Sequence, residues 1–365
     1  MDQIGEGEVM VERLPESRSG PAPAASTDFD PTRLRAFLRT AAPELSGPMR
    51  VERVGGGQSN PTYFLTLGRD EVVLRKRPNG ELPRSAHDVI REHRIIAALA
   101  ASAVPVPRAL LGCSDGSVIG TPFYLMERLH GRIFHDARLP DVAPAERRAY
   151  YLEHARCLAT LHRVDPGDVS LADLARPGNF IARQVDRWAR AWDRHDRRAE
   201  AESVGFWLRE RLPADQRRVL VHGDFNFTNV VFDPIAPRIV GVLDWELAAI
   251  GDPLLDLGHV WSALWATSPE EYGGLLGSDL AGSGLPDADE YIAAYFGAVG
   301  WHQAQDPIGL PVFYRVLALL RNAGIFIGIA ERAAAGTAAA AGAAGQAKTA
   351  EVYLDRAVRL ARDHI

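Results

Sequence analysis

The sequence predicts an α+β protein with two lobes: a small lobe built on an antiparallel β-sheet with one helix, and a larger lobe that is mainly helical. Five short β-rich runs and one inserted helical segment precede residue 128, whereas the chain after Gly131 shows mostly helical periodicity. At 365 residues the chain is long enough for two lobes that share a cleft. We therefore assign residues 28–127 to the small lobe and residues 128–365 to the large lobe.

The composition is that of a soluble globular protein, with 47% hydrophobic and 24% charged residues. A net charge of -6, with acids and bases interspersed, argues against a nucleic-acid partner. Cys113 and Cys157 are too far apart to indicate a disulfide framework or a zinc site. We see no apolar run near the roughly 20 residues of a membrane span and no signal-peptide core. We therefore expect a cytoplasmic protein without a membrane partner, either a monomer or a homodimer.

The elements follow from local patterns along the chain. Residues 1–27 lack periodicity and are predicted to form a disordered tail, whereas Asp30 followed by Pro31 is typical of a helix start. Strands are predicted at residues 49–54, 62–67, 71–75, 109–113 and 123–128, with a helix at 85–101. The large lobe has predicted helices at residues 145–162, 179–198 and 351–363, and an Ala- and Gly-rich loop at 333–350.

A glycine-rich segment joins the first two predicted strands. Glycines let a backbone approach a ligand closely, and exposed N–H groups can bind a phosphate. The alternative is a hairpin turn that binds nothing. The segment is not a Walker A loop, because no Gly-Lys-Ser/Thr ends it and a strand follows it. The candidate nucleotide-binding residues here are Gly56, Gly57, Gln58, Ser59 and Asn60.

Polar side chains follow two apolar runs in the large lobe. Asp224 ends the first run, Asn229 follows it five residues later, and Asp244 ends the second run. In phosphoryl transfer one carboxylate orients a hydroxyl, while an amide and a second carboxylate hold Mg²⁺ against the nucleotide. The spacing predicts Asp224 as the catalytic base, with Asn229 and Asp244 as metal ligands. The alternative for Asp224 is a turn cap.

Together these segments resemble the aminoglycoside phosphotransferase and choline-kinase-like superfamily, which has the protein-kinase-like fold. Within it, the likeness is to the kinase-like N-terminal domain of acyl-CoA dehydrogenase family members 10 and 11, and to stand-alone bacterial phosphotransferases of that subgroup. The resemblance covers about residues 45–330. It rests on the motifs at residues 56–62, 73–76, 91–94, 105–107, 117–127, 131–134, 222–229 and 244–246.

The resemblance implies a kinase that uses ATP or GTP with Mg²⁺. It implies an ion pair between a basic residue on the third strand and Glu92, which together fix the nucleotide phosphates. Arg75 and Lys76 are neighbours on that strand, so only one of them can enter the cleft. We favour Arg75, with Lys76 as the alternative. Glu92 has its own alternative, a solvent-facing position like that expected for Arg91 and Arg94 on the same helix.

The resemblance also implies supporting residues around this site. The main chain of Glu127, Arg128 and Leu129 is expected to bind the adenine ring. His222 is expected to be structural, as a buried imidazole that satisfies loop carbonyls. Asp256 resembles the aspartate that braces the catalytic loop by accepting backbone N–H bonds.

The acceptor is the least specified part of the prediction. Arg183, Arg187, Arg190 and Arg194 recur at helical spacing and could bind the phosphates of an anionic substrate such as a hydroxyacyl-CoA. A solvated helix face is the alternative. We therefore predict a small-molecule hydroxyl acceptor, with a hydroxyacyl-CoA first and an aminoglycoside or amino-alcohol second. A nucleotide-binding pseudokinase that acts as a scaffold is the alternative of a different class.

Overall fold

The computed structural model describes residues 27–55, 60–80, 87–214, 216–301, 309–334 and 343–364. The candidates Gly56, Gly57, Gln58 and Ser59, and the predicted tail up to residue 26, lie outside these ranges. The strands are β1 (Met49–Arg53), β2 (Thr62–Leu67), β3 (Asp70–Lys76), β4 (Ala109–Cys113), β5 (Phe123–Glu127), β6 (Val219–Val221), β7 (Val230–Phe232), β8 (Ile239–Val242) and β9 (Ala249–Gly251). The helices are α1 (Pro31–Ala41), α2 (Val89–Leu99), α3 (Pro144–His162), α4 (Phe180–Arg190), α5 (Arg198–Arg209), α6 (Leu254–Leu264), α7 (Pro269–Tyr272), α8 (Ala288–Val299), α9 (Val312–Ala334) and α10 (Ala343–Arg362).

The first five strands form one antiparallel sheet in the order β1-β2-β3-β5-β4. Its two faces enter different cores, because successive side chains of a strand point to opposite sides. On β3, Val72 and Leu74 pack with Leu34 and Leu38 of α1. Val73, which lies between them, packs on the other side of the sheet in a core formed by α2 and the helices of the large lobe. The predicted α+β class is thus confirmed, and the sheet ends at Glu127.

The helices of the large lobe share one continuous core, in which α9 packs against α4, α5, α6 and α10. By length and composition α9 alone, among the described residues, could cross a membrane. The expectation that no apolar run approaches that length is therefore wrong for this helix. Of its most apolar window 67% is buried inside the protein, which is the environment of a core helix.

Two short two-stranded sheets interrupt the helices and carry the candidate site. β6 pairs antiparallel with β9, and β7 pairs antiparallel with β8. Residues 222–229 connect the first strand of one pair to the first strand of the other. Asp244 follows β8 directly. The two predicted runs of polar residues therefore lie at neighbouring strand ends.

Two predicted boundaries in the large lobe are wrong. The helix expected at residues 179–198 ends at Arg190, and a separate helix, α5, begins at Arg198. The chain reverses between them so that α5 packs on α4, and Gly205 permits this because a Cβ there would lie 2.9 Å from the Cβ of Ala189. The loop expected at residues 333–350 is partly helical, since α10 begins at Ala343. Alanine has the highest helix propensity, so this composition supports a helix.

Candidate active site

The loop after β6 is held by a buried carboxylate. Asp256 accepts hydrogen bonds from the backbone N–H groups of His222 (2.6 Å) and Gly223 (2.8 Å). The His222 imidazole donates from Nε2 to the carbonyl of Leu243 (2.8 Å) and accepts at Nδ1 from the N–H of Asp224 (3.2 Å). Both His222 and Asp256 are buried, so they fix the backbone of the loop and leave Asp224 at the surface of the site.

The Asp224 carboxylate is oriented by its own loop. Oδ1 accepts from the Asn226 amide (2.9 Å), and Oδ2 accepts from the Asn229 amide (3.0 Å). Asn229 also donates to the backbone carbonyl of Asp224 (2.8 Å). Because its amide nitrogen makes these contacts, the amide oxygen of Asn229 is the atom that would ligate a metal. The Asp224 side chain is 36% exposed, so an acceptor can reach it.

Two further residues next to Asp224 were not predicted from the sequence. His259 Nε2 lies 2.9 Å from Asp224 Oδ1 but makes no regular hydrogen bond there. Arg321 donates to His259 Nδ1 and to the carbonyl of Gly223. Burial acts to raise the pKa of Asp224, but His259, Arg321 and His222 outweigh it and hold that pKa well below its usual range. The carboxylate is therefore ionised.

Arg75 joins the sheet to the second predicted metal ligand. Its guanidinium lies 3.3 Å from Glu92, 2.7 Å from Asp244 and 3.7 Å from Glu246. Asp244 adopts a left-handed backbone (φ 63, ψ 64), which is uncommon for a residue other than glycine. Such a conformation at a strand end is typical of functional sites, where the surrounding structure maintains the strain.

The three carboxylates around Arg75 carry more negative charge than one guanidinium can neutralise. Glu92, Asp244 and Glu246 each place an oxygen within 4.8 Å of the others. Burial raises the pKa of Glu92 to about 7, against the lowering effect of Arg75, and the two neighbouring carboxylates raise it further. Carboxylate oxygens are the ligands that Mg²⁺ prefers. This cluster shares Asp244 with the predicted metal site, whose other predicted ligand is Asn229.

Asn60 supports this cluster. Its amide nitrogen donates to Glu92 (3.2 Å) and Glu246 (3.3 Å), and its amide oxygen lies 3.1 Å from His87 Nδ1. The side chain of Asn60 is thus directed at carboxylates, and it is the only described member of the five glycine-segment candidates. Arg91, which we expected to face solvent with Arg94, is instead half-buried and donates to the carbonyl of Ala248. Arg94 is exposed and pairs with Asp173.

The structure places Arg75 and Lys76 on opposite faces of β3. Arg75 faces the carboxylates, whereas the Lys76 ammonium is fully buried on the α1 side, 2.9 Å from Asp28 and 3.0 Å from Asn79. Tyr63 also donates to Asp28 (2.7 Å). Lys76 therefore holds the segment before α1 against the sheet, whereas Arg75 faces the candidate site, as the favoured prediction requires.

We predict opposite effects for substitutions at these two neighbours. Lys76→Met should lower the free energy of unfolding by about 2 kcal/mol, because it leaves Asp28, which is 26% exposed, without its cation. Nucleotide affinity should hardly change. The matched variant Arg75→Lys should weaken nucleotide binding and cost less stability. Urea unfolding and nucleotide titration of both variants check this, and a loss of nucleotide affinity confined to Lys76→Met would reverse the assignment.

A model of the phosphotransferase enzyme family matches residues 50–305 of this chain. The chain belongs to that family. Acyl-CoA dehydrogenase family member 10 of Mus musculus is 39% identical over 315 residues, which cover 84% of this chain and 28% of the mouse protein. Viomycin phosphotransferase of Streptomyces vinaceus is 31% identical over 60% of this chain and 82% of its own length. This phosphotransferase thus spans less than a third of the mouse relative.

The structural comparison leads to the same family. A solved structure from Ralstonia eutropha JMP134, whose description as an aminoglycoside phosphotransferase is itself provisional, matches with a TM-score of 0.80 and 35% identity. The match covers 92% of this chain and 99% of that one. The resemblance to the aminoglycoside phosphotransferase superfamily and its protein-kinase-like fold is therefore confirmed.

In this phosphotransferase the segment predicted to bind adenine is partly engaged by protein. The N–H of Glu127 donates to the carbonyl of Arg108 (2.9 Å), so it is not free for a base. The Arg128 guanidinium stacks over the ring of Phe64, 3.9 Å from its centroid. Leu129 packs over Gly241, where a Cβ would lie 2.0 Å from its methyl group. Adenine binding therefore stays a prediction for the main chain of Glu127, Arg128 and Leu129, without the N–H of Glu127.

The predicted arginine stripe is not continuous. Arg183 donates to the carbonyl of Pro177 (2.5 Å), Arg190 is the last residue of α4, and Arg194 lies beyond the helix. Arg187 stacks over Trp188 at 4.5 Å. Burial lowers the pKa of the Arg321 guanidinium, Asp224 and Asp256 act to raise it, and the positive charge of Arg187 lowers it. Arg187 thus lies within electrostatic reach of Arg321.

Proposed function

We propose that this phosphotransferase moves the γ-phosphate of ATP or GTP, in the presence of Mg²⁺, to a hydroxyl group of a small molecule. One observation carries the proposal: the Asp224 carboxylate is oriented by the amides of Asn226 and Asn229 and is 36% exposed, while a separate group of carboxylates engages Arg75. This arrangement offers one carboxylate for a hydroxyl and a separate set of oxygens for a metal.

Each residue then has a defined role. Asp224 accepts the hydrogen bond of the acceptor hydroxyl, aims its oxygen at the γ-phosphorus and receives its proton as the new O–P bond forms. The bond from the γ-phosphorus to the bridging oxygen breaks, and the nucleoside diphosphate leaves. Asn229 and Asp244 would hold Mg²⁺, which supplies neutralisation of the phosphate charge. Arg75 exchanges Asp244 for the phosphates while Glu92 keeps the guanidinium in place.

A hydroxyacyl-CoA is the acceptor that we place first. Positive charge lies near Asp224 in Arg321, and Arg187 lies within electrostatic reach of Arg321, which suits a substrate with phosphate groups. Exposed apolar surface adjoins it: Leu247 packs at Gly223, and Tyr272, which is 71% exposed, lies within the electrostatic reach of Asp224. Such a surface suits an acyl chain. The name of the mouse relative also associates this kind of domain with acyl-CoA, although most of that protein lies outside the match.

An aminoglycoside or amino-alcohol is the second candidate. The similarity to viomycin phosphotransferase over most of that protein's length supports it. A polycationic acceptor would, however, meet the charges of Arg187 and Arg321, and like charges without a pairing anion are unfavourable. A nucleotide-binding scaffold without activity is the remaining alternative, and the presence of both Asp224 and Asp244 speaks against it.

The deciding experiment measures consumption of ATP and of GTP with Mg²⁺ and a panel of hydroxyacyl-CoAs, aminoglycosides and amino-alcohols. We expect turnover with a hydroxyacyl-CoA and none after chelation of the metal. Turnover with only a cationic acceptor would favour the second candidate. Nucleotide-dependent thermal stabilisation without turnover on any acceptor would favour the scaffold.

We predict that Arg187→Gln raises KM for a hydroxyacyl-CoA roughly fivefold, because an exposed charge contact to phosphate contributes about 1 kcal/mol. KM for ATP and kcat should stay near their wild-type values, as expected for binding that is uniform along the reaction. The effect should shrink as salt is added. Arg194→Gln, beyond the end of α4, is the matched control and should behave as wild type. Equal KM values for both variants would leave the stripe as a solvated surface.

A further inference from the structure

The proton of the neutral His259 imidazole can be placed on one nitrogen. Arg321 donates to Nδ1, and a guanidinium has donors only, so Nδ1 must be the acceptor. The proton of the neutral ring is therefore on Nε2, the nitrogen that lies 2.9 Å from Asp224 Oδ1. Because His259 is buried, water does not stabilise the alternative tautomer with the proton on Nδ1. The imidazole presents an N–H to the carboxylate.

The two carboxylate oxygens of Asp224 therefore differ in the hydrogen-bond donors that surround them. Oδ1 accepts from Asn226 and faces the N–H of His259. Oδ2, among the described residues, has one hydrogen bond, from Asn229. A carboxylate oxygen has about two lone-pair sites. On Oδ1 the Asn226 amide takes one site and His259 Nε2 lies 2.9 Å away beside the other, whereas Oδ2 keeps one site. The available site on Oδ2 is the place where an acceptor hydroxyl can donate.

We propose that His259, held by Arg321, is a positioning residue that occupies Oδ1 of Asp224 and so selects Oδ2 to receive the acceptor hydroxyl. This assignment rests on the proposed function. His259 does not relay the proton, because Nε2 already carries one and Nδ1 is taken by Arg321. The acceptor proton passes to Oδ2 and stays on Asp224 until the product leaves.

Two α-helices, α6 and α9, supply side chains that surround Asp224. His259 lies on α6, on the same side as Asp256, which binds the loop one turn earlier. Arg321 comes from α9 and also donates to the Gly223 carbonyl, so one guanidinium fixes both the imidazole and the loop backbone.

The kinetic test compares two variants of His259 in the full chain. His259→Phe removes the N–H and should lower kcat roughly 10- to 100-fold, the effect of a loosened catalytic group, with KM for ATP unchanged. His259→Gln places an amide N–H near the position of Nε2 and should recover most of that loss. His195→Gln, a surface histidine paired with Glu331, is the control. Wild-type kcat in His259→Phe, or equal losses in both variants at equal thermal stability, would overturn the proposal.

A second measurement does not depend on turnover. Nitrogen-15 NMR of histidine-labelled protein, assigned by the signal lost in His259→Gln, should show a protonated Nε2 and a bare Nδ1 at neutral pH. A proton on Nδ1 would overturn the assignment of His259 even in an active enzyme. Absence of turnover by the wild type on every acceptor would instead overturn the proposed function, while the NMR result still decides the tautomer.

Discussion

Asp224→Asn is expected to reduce phosphoryl transfer by about 10²- to 10⁴-fold, the usual contribution of a positioned general base. The amide keeps the size of the side chain and can still accept from Asn229, but it cannot take the acceptor proton. Nucleotide affinity should stay near that of the wild type, because the assigned role of Asp224 concerns the acceptor. Steady-state kinetics and nucleotide titration on the same preparations measure both quantities.

A surface aspartate provides the control for this variant. Asp233 lies in the turn after β7 and pairs with Arg238, so Asp233→Asn should leave kcat unchanged. Wild-type turnover in Asp224→Asn would mean that another group takes the proton. Loss of nucleotide binding together with turnover would show that the substitution disturbed the loop and did not isolate the chemical step.

Asp244→Ala is expected to weaken Mg²⁺-dependent nucleotide binding roughly 30- to 100-fold, about 2–3 kcal/mol, because a partly buried carboxylate is removed from a cation site. Nucleotide affinity titrated against Mg²⁺ concentration is the measurement. Two side effects act in the free protein: the variant releases Arg75 from its 2.7 Å contact and puts alanine on a left-handed backbone.

Asp244→Asn separates these effects, since asparagine tolerates the backbone and lacks the charge. It should lose Mg²⁺ dependence nearly as much as Asp244→Ala while keeping more of the stability. If neither variant changes the dependence on Mg²⁺, the metal binds elsewhere, and Glu92 with Glu246 become the first candidates.

The fold was predictable where local pattern and burial agree. Strand β2 has its predicted bounds because Tyr63, Leu65 and Leu67 alternate with less buried residues on a half-buried sheet. The end of α4 was not predictable, since the helical pattern continues past Arg190 and only packing of α5 decides where the chain turns. The start of α10 was missed for a different reason: glycines among the alanines suggested a loop, and alanine propensity prevailed.

The residues of the candidate site were likewise only partly predictable from the sequence. Asp224, Asn229 and Asp244 are close in sequence, so their spacing was enough to bring them together in the prediction. His259 and Arg321 reach Asp224 only because α6 and α9 pack side by side. His259 did leave one signal, its position three residues after Asp256, which places both on one helix face. For Arg321 we find no local signal, because its role depends on which face of a buried helix meets the loop.

The left-handed backbone at Asp244 restricts which amino acids can replace this residue. Glycine, asparagine and aspartate adopt that conformation most easily. Glycine has no side-chain ligand for a metal, and asparagine has only a neutral amide oxygen. Glutamate has a charged carboxylate, but its longer side chain adopts this backbone conformation less readily. Aspartate is thus the one residue that meets both demands. Every substitution of Asp244 is therefore expected to weaken either the proposed metal site or the fit to this backbone conformation.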